Sequence, residues 1–367
     1  MARELVVSVD AMGGDHAPDI VVKGVDIALV RHPEARFLLY GDQERLNPLI
    51  DSHPRVAAAS AIRHTPDIIA MSDKPSAALR RGRNSSMALA LDAVRDGEAL
   101  VAISAGNTGA LMALGKTRLK TMPGIDRPAI AAIWPTLRGE SIVLDVGANV
   151  DVSAKMLVDF AVMGEGFARA VLGLTKPSVG LLNVGTEELK GNEGVRTADR
   201  ILRAADIGMD YRGFVEGDDI SAGAVDVVVT DGFTGNVALK TAEGTARLVS
   251  SYLSSALRRS LFSRLGAVMA AGAFRMLKAR MDPRRVNGGT FLGLNGVVVK
   301  SHGGTDETGF AHALDLAIDM AGSRFAGEIA ERILAIRATI DAVDGSEGES
   351  PAPAPETGED WAVVGSG

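Results

Sequence analysis

Two glycine-rich segments carry the residues whose types and spacing best suit chemistry. Each follows a run of apolar residues, contains paired glycines and leads into a helical pattern; they are residues 104–112 (SAGNTGALM) and 230–240 (TDGFTGNVALK). Backbone N–H groups at the start of a helix, together with the helix dipole, form a concave surface that attracts an anion. An ordinary turn explains the first segment alone about equally well. The repetition of the design favours binding of phosphate or of a phosphorylated group.

Several other chemistries fit the sequence poorly. The chain has no cysteine, which excludes a thiolate nucleophile, a disulfide framework and cysteine-ligated metal. Five residues separate Gly109 from Gly115 where a Walker A loop has four, and the sequence contains neither GxSxG nor GxGxxG. The six histidines are scattered without metal-ligand spacing, and the low aromatic content disfavours a nucleic-acid platform. We therefore expect an enzyme without metal or cofactor that does not bind nucleic acid.

Charge divides the chain into a neutral body and an acidic end. The net charge is −7, and seven acids lie in the last 27 residues, where no Lys or Arg occurs. Residues 343–367 are rich in Gly, Ser, Glu, Pro and Ala, a composition typical of disorder. The chain shows neither a signal peptide nor a run of about 18 apolar residues that could span a membrane. We expect a cytoplasmic protein with one catalytic domain, residues 1–342, and a disordered tail.

Strand-like runs that alternate with helical patterns define the body. Such alternation predicts right-handed βαβ units and a mostly parallel sheet covered on both faces, a three-layer αβα fold. Ligands in such sheets bind beyond the carboxyl ends of the strands, so basic and polar residues near the strand ends are expected to gather at one edge. The runs are residues 5–9, 37–40, 100–103, 142–146, 179–184, 225–230 and 297–299.

One segment interrupts this alternation, at about residues 250–286. It has no strand candidate, and its apolar residues recur every four positions from Leu253 to Met269, which predicts a protruding helical hairpin with its turn between Gly266 and Gly272. Residues 256–286 contain eight bases and one acid. Dimerisation or core capping is one explanation, and contact with anionic lipid or an acidic protein is another. The residues expected to make that contact are Arg258, Arg259, Leu261, Phe262, Leu265, Val268, Arg275 and Lys278.

Eight sequence strings in order resemble one protein family. They are DAMGGD (10–15), MSDKPS (71–76), SAGNTG (104–109), LDVGAN (144–149), LLNVG (181–185), DGFTGN (231–236), FLGLNG (291–296) and KSHG (300–303). Together they resemble the phosphate acyltransferases of bacterial phospholipid synthesis, over roughly residues 4–335. The resemblance implies a fold like that of isopropylmalate dehydrogenases and phosphotransacetylases.

The resemblance also implies an activity and its partners. The reaction is reversible transfer of a fatty acyl group from acyl carrier protein to inorganic phosphate, which gives acyl phosphate. The family implies a homodimer that associates peripherally with the cytoplasmic membrane. Its product is used by a downstream membrane glycerol-3-phosphate acyltransferase. A phosphotransacetylase-like transfer from a coenzyme A thioester is the alternative reaction, and an NAD-dependent dehydrogenase or a non-catalytic scaffold fits the residues less well.

Residues and resemblance together give a hypothesis for the site. Phosphate attacks the thioester directly, so the protein must orient two substrates and stabilise a tetrahedral oxyanion. His16 either protonates the leaving thiolate or has a structural role. Phosphate is expected against Gly106, Asn107, Thr108 and Gly109, with Lys74 or Arg80 supplying charge. The oxyanion or thioester is expected at Asn183, Lys190 and Asn236. Further loop residues expected near substrate are Asp15, Asp145, Asn149, Asp231, Lys300 and His302.

Overall fold

The protein was described from a computed structural model. The structure describes residues 4–205, 207–280, 284, 287–321, 329 and 331–337. The acidic tail predicted at 343–367 lies outside the described residues.

Eleven strands and thirteen helices form the regular structure of the described chain. The strands are β1 (Val6–Asp10), β2 (Arg36–Gly41), β3 (Ser60–His64), β4 (Val101–Ser104), β5 (Ala129–Thr136), β6 (Gly139–Leu144), β7 (Ser178–Leu182), β8 (Asp210–Val215), β9 (Val227–Val229), β10 (Gly289–Leu292) and β11 (Val297–Lys300). The helices are α1 (Asp19–Arg31), α2 (Gln43–Asp51), α3 (Pro54–Ala59), α4 (Pro75–Arg81), α5 (Ser86–Arg95), α6 (Thr108–Arg118), α7 (Ala154–Leu172), α8 (Glu193–Ala204), α9 (Gly217–Ala222), α10 (Gly232–Arg258), α11 (Leu261–Met269), α12 (Ala271–Arg280) and α13 (Glu307–Ala321).

All strands join one sheet, in the order β3-β2-β1-β4-β11-β10-β5-β6-β9-β7-β8. Most pairs are parallel, but β10 pairs antiparallel with both β11 and β5, and β5 pairs antiparallel with β6. The chain direction is therefore opposite in the two halves of the sheet. The carboxyl ends of β1, β4 and β11 lie at one edge, called here edge A. Those of β6, β7 and β9 lie at the opposite edge, called edge B.

Helices cover the two faces of the sheet, as predicted. Alternate residues of each strand point to opposite faces; Val101 and Ile103 of β4 join one buried cluster, and Ala102 between them joins the other. The first cluster packs under α1, α7, α8 and α13, and the second under α5, α6 and the start of α10. Burial of this apolar surface, at about 25 cal/mol per Å², stabilises the three layers.

The helical segment after β9 differs from the predicted hairpin. α10 is one helix of 27 residues that begins at edge B, and it is followed by two short helices, α11 and α12. The helical segment is interrupted at Ser260, whose hydroxyl accepts the N–H of Ser263, and again at Ala270. The break at Ala270 lies between Gly266 and Gly272, where the turn was predicted. The break at Ser260 was not predicted; there the serine side chain satisfies a free N–H at a new helix start.

Candidate active site

The carboxylate of Asp10 organises the loop after β1. It is buried and accepts hydrogen bonds from the hydroxyls of Ser86 and Ser104, each at 2.6 Å, and from the backbone N–H of Met12. Burial raises the pKa of the Asp10 carboxyl, and the two hydroxyl donors oppose that rise. A Cβ on Gly13 would lie 2.5 Å from the Asp10 Oδ2, so this close approach needs glycine. Asp10 thereby joins the ends of β1 and β4 at edge A.

The predicted anion loop opens α6 at the same edge. The Asn107 Oδ1 accepts the N–H of Ala110 at 2.9 Å and caps the helix. Its Nδ2 donates to the carbonyls of Met71 and Asp73, which ties the loop to residues 71–76. Within the described part of the chain, the N–H groups of Thr108 and Gly109 have no hydrogen-bond partner, as expected for a first helical turn. The Asn107 side chain is thus structural, and the backbone beyond it is free to bind an anion.

Lys300, at the end of β11, places a positive charge beneath that loop. Only 9% of its surface is exposed, and its Nζ donates to the carbonyl of Ala105 at 3.3 Å and to that of Ser301. Burial lowers the pKa of Lys300 to about 8, although the carboxylates of Asp10 and Asp15 favour its charged form. An anion bound above the loop would stabilise this ammonium.

α10 brings a second lysine to edge A from the other half of the sheet. The Lys240 Nζ lies 2.9 Å from the Glu243 carboxylate and 3.3 Å from the His302 Nε2. The Nδ1 of His302 accepts the N–H of Gly304 at 3.2 Å. Burial, followed by the charge of Lys240, lowers the pKa of His302. The sequence analysis assigned no role to Lys240. Its position at the end of the glycine-rich segment TDGFTGNVALK was the feature that could have marked it as a site residue.

Other residues predicted for the site also lie at edge A. The N–H of Asp15 donates to the carbonyl of Gly303 at 2.9 Å, which joins the loops after β1 and β11. His16 is exposed, and its ring makes no hydrogen bond to a described residue. Lys74 precedes α4 in the segment that Asn107 holds, with its side chain exposed. Arg80 lies further along α4, where its Nε donates to the carbonyl of Ser76 at 3.3 Å.

The remaining predicted residues do not gather at this edge, which corrects the expectation of a single edge. Asn183, Lys190 and Asn236 follow β7 and β9 and so lie toward edge B, away from the loop that opens α6. The Asn183 Nδ2 donates to the carbonyl of Lys190 at 3.1 Å. Lys190 lies 4.0 Å from the Glu187 carboxylate. The expectation was wrong because it gave all the strands that precede these loops one direction, whereas β5 and β10 reverse the direction within the sheet.

The acidic residues at edge B have structural partners. Asp145 is buried and accepts the backbone N–H groups of Ile130, Gly147, Ala148 and Asn149 and the side-chain amide of Asn149. Burial raises the pKa of Asp145, and these donors oppose the rise. Asp231 caps α10 through the N–H of Thr234. Asp145 and Asn149 therefore hold the loop after β6 against α10, and both oxygens of the Asp145 carboxylate are occupied by this structural role.

The residues predicted to meet lipid or carrier protein lie on the end of α10 and on α11 and α12. Phe262, Leu265 and Val268 are 89%, 61% and 72% exposed. Arg258, Arg259 and Arg275 are exposed as well. The side chains of Leu261 and Lys278 lie outside the described residues.

Comparison with known proteins gives consistent similarities over almost the whole chain. The sequence model of a family described as "Fatty acid synthesis protein" matches residues 5–328. The phosphate acyltransferase of Parvibaculum lavamentivorans is 58% identical over 330 residues, 90% of this chain and 91% of the relative. The phosphate acyltransferase of Rhodospirillum centenum is 56% identical over 342 residues, 93% and 96% of the two chains.

Solved structures share the fold at much lower sequence identity. A phosphotransacetylase from Streptococcus pyogenes aligns with a TM-score of 0.58 at 16% identity and covers 88% of this chain and 95% of its own. A phosphotransacetylase from Staphylococcus aureus aligns with a TM-score of 0.55 at 14% identity, over 87% and 94% of the two chains. These similarities confirm the predicted αβα fold class.

Proposed function

Because the chain belongs to the phosphate acyltransferase family, it is an acyltransferase with phosphate as acceptor; we propose that the reaction takes place at edge A. We further propose that the fatty acyl group comes from acyl carrier protein. The main support for this location of the site is the loop that opens α6, which has free backbone N–H groups above the buried ammonium of Lys300. The acyl phosphate formed there serves phospholipid synthesis.

Phosphate binds at the first turn of α6. The N–H groups of Thr108 and Gly109 and the helix dipole supply partial positive charge, and Lys300 supplies a full charge from below. Lys74 completes the site from the side, because Asn107 fixes its segment against the loop. Arg80 lies further along α4 and contributes long-range charge.

The reaction is a direct displacement at the thioester carbonyl. An oxygen of hydrogen phosphate forms a bond to the carbonyl carbon, and the carbon–sulfur bond then breaks to give acyl phosphate and thiol. The thiol, with a pKa of about 8.5, is a good leaving group, so transition-state charge is the main requirement. Lys240 stabilises the oxyanion. The proton of hydrogen phosphate passes to the departing sulfur through His16, whose exposed ring makes no hydrogen bond to a described residue.

A charge placed in either glycine-rich loop tests this placement. Thr108→Asp puts a carboxylate in the α6 loop, and Thr108→Asn is its neutral match. We expect Thr108→Asp to raise the KM for phosphate at least tenfold over Thr108→Asn, because the carboxylate repels the anion. Thr234→Asp makes the same change at the start of α10. A larger effect of Thr234→Asp on this KM would move the phosphate site to edge B.

The donor is identified by comparing two thioesters of the same acyl group. We expect phosphate-dependent thiol release to be much faster from acyl carrier protein than from coenzyme A. The basic surface of α10 to α12 supports an acidic carrier as partner, since opposite charge accelerates association. A preference for coenzyme A would assign the chain a phosphotransacetylase-like reaction instead.

The same surface supports a homodimer and peripheral attachment to the cytoplasmic membrane, near the downstream glycerol-3-phosphate acyltransferase. None of the helices in the described part of the chain is long and apolar enough to cross a bilayer. Phe262, Leu265 and Val268 instead offer an exposed apolar surface beside arginines, which suits an anionic interface. Phe262→Glu with Val268→Glu is expected to abolish co-sedimentation with anionic vesicles. Undiminished co-sedimentation would remove the lipid role, and sedimentation velocity on the same variant reports the dimer.

A further inference from the structure

A cleft at edge B has no part in the reaction described above. It measures about 430 Å³, and its lining combines polar residues with the apolar Leu157, Leu182 and Val195; the polar residues are Asp151, Asn183, Asn192, Thr230, Asp231 and Thr234. Its rim carries exposed apolar side chains from the loop after β6, the loop after β7 and the start of α10; these are Val150, Val184 and Phe233, at 63%, 77% and 62% exposure. The three segments are neighbours because β6, β9 and β7 are adjacent in the sheet. Exposed apolar residues gathered in this way mark a binding surface.

α10 connects this cleft to the candidate active site. Phe233, Val237 and Lys240 are spaced by four and three residues, so they share one face of the helix. Val237 is 49% exposed, which keeps the face apolar between the cleft and Lys240. At 1.5 Å per residue, the seven residues from Phe233 to Lys240 span about 10 Å. Lys240 in turn lies next to His302 at edge A.

We propose that this face of α10 and the apolar rim of the edge B cleft bind the acyl chain of the thioester substrate. The inference rests on the proposed function, which places the thioester carbonyl beside Lys240. An acyl chain is the apolar part of that substrate, and the Phe233–Val237 face is the apolar surface that continues from Lys240 without an intervening charge. The chain follows α10 from edge A, and its methyl end contacts the apolar rim of the cleft at Val150 and Val184.

Chain-length selectivity of acyl carrier protein thioesters tests this proposal. Each methylene that becomes buried favours binding by about fourfold in kcat/KM, so the preference for hexadecanoyl over butanoyl groups measures the apolar contact. Phe233→Ser with Val237→Ser is expected to lower the hexadecanoyl-to-butanoyl ratio of kcat/KM by at least tenfold. Leu137→Ser is the matched control, because Leu137 is 88% exposed in the β5–β6 turn, remote from the cleft. It is expected to leave the ratio unchanged.

Fluorescence gives a second measurement that does not depend on turnover. Val184→Trp places an indole at the rim, and its emission is expected to shift to shorter wavelength with hexadecanoyl carrier protein and not with the butanoyl form, without phosphate present. An equal loss of kcat/KM for both chain lengths overturns the proposal. So does a change from dimer to monomer in the Phe233→Ser, Val237→Ser variant, because it would make this face a subunit interface. If the proposed function itself were wrong, the result would differ from these outcomes: thiol release would not depend on phosphate at any chain length.

Discussion

Replacement of Lys300 by Met tests the role of the charge beneath the α6 loop. The ammonium is buried against the carbonyls of Ala105 and Ser301, and methionine has a similar length without charge. Because burial lowers the pKa of Lys300 to about 8, its charge changes within an accessible pH range. Bound phosphate favours the charged form, so affinity for phosphate is expected to fall as the pH rises through 8.

The size of this effect follows from the pKa of Lys300. With a value of about 8, roughly three quarters of the free enzyme carries the charge at pH 7.5 and roughly one tenth at pH 9. If bound phosphate keeps Lys300 protonated, the KM for phosphate rises about eightfold between these pH values. Lys300→Met is expected to start from a higher KM at pH 7.5 and to show no rise.

Thiol release provides a direct assay. The chain contains no cysteine, so a thiol reagent reports only the carrier-protein product. His302 does not complicate the profile, because its pKa is lowered from the ordinary value and it is neutral throughout the range. The same KM at both pH values in the wild type, or the same KM for the wild type and Lys300→Met at pH 7.5, would refute the reasoning.

Stability gives an independent check with a defined sign. The folded-state pKa of Lys300 lies below its unfolded value of about 10.5, so the unfolded chain binds more protons between pH 8 and 10.5. The free energy of unfolding therefore rises over this interval, by at most about 3 kcal/mol. Lys300→Met is expected to lack this rise. Urea unfolding at the two ends of the interval, pH 8 and pH 10.5, measures it.

Three further substitutions probe the loops that position the site. Gly235→Ala would place a Cβ 2.0 Å from the Asp145 carbonyl oxygen, so it is expected to lower the free energy of unfolding by about 3 kcal/mol or more. Gly244→Ala, on the open side of the same helix, is the control and is expected to raise the free energy of unfolding by about 1 kcal/mol. Urea denaturation measures both changes. Asn107→Ala removes a helix cap and two ties to residues 71–73, so a loss of about 2 kcal/mol is expected in thermal unfolding, and an unchanged melting temperature would contradict that role. Asp145→Asn replaces an acceptor of five N–H groups with a side chain that carries its own donors, and a loss of about 2 to 3 kcal/mol is expected; Asp231→Asn, which keeps its capping oxygen, is the matched control and is expected to lose less.

Sequence patterns predicted the layers and seven of the strands, because buried parallel strands are continuous apolar runs. The other four strands were missed for local reasons. β3 and β8 alternate polar and apolar residues near the sheet margins, β5 is rich in alanine, and β10 is a short run that contains glycine. Two of these, β5 and β10, are the strands that reverse the sheet. Because these two strands were not predicted, all the candidate site residues were expected at one edge of the sheet.

The α6 loop could be predicted because it depends on local features, namely a buried strand, glycines and a capping Asn107. The contribution of Lys240 could not, since it depends on α10 crossing from one half of the sheet to the other. The same holds for Lys300, whose burial under Ala105 depends on β11 pairing with β4 across nearly 200 residues of chain.

Under the proposed function, the length of α10 would separate synthesis of the product from its delivery. From Lys240 to Arg258 the helix rises by about 27 Å, so a lipid surface in contact with α11 and α12 lies well away from the reacting carbonyl. On the proposed placement, the acyl phosphate leaves edge A and crosses this distance before it meets a bilayer in contact with α11 and α12. Its capture by a downstream enzyme would then compete with hydrolysis of the anhydride, so proximity of that enzyme, more than depth of membrane insertion, would limit the yield.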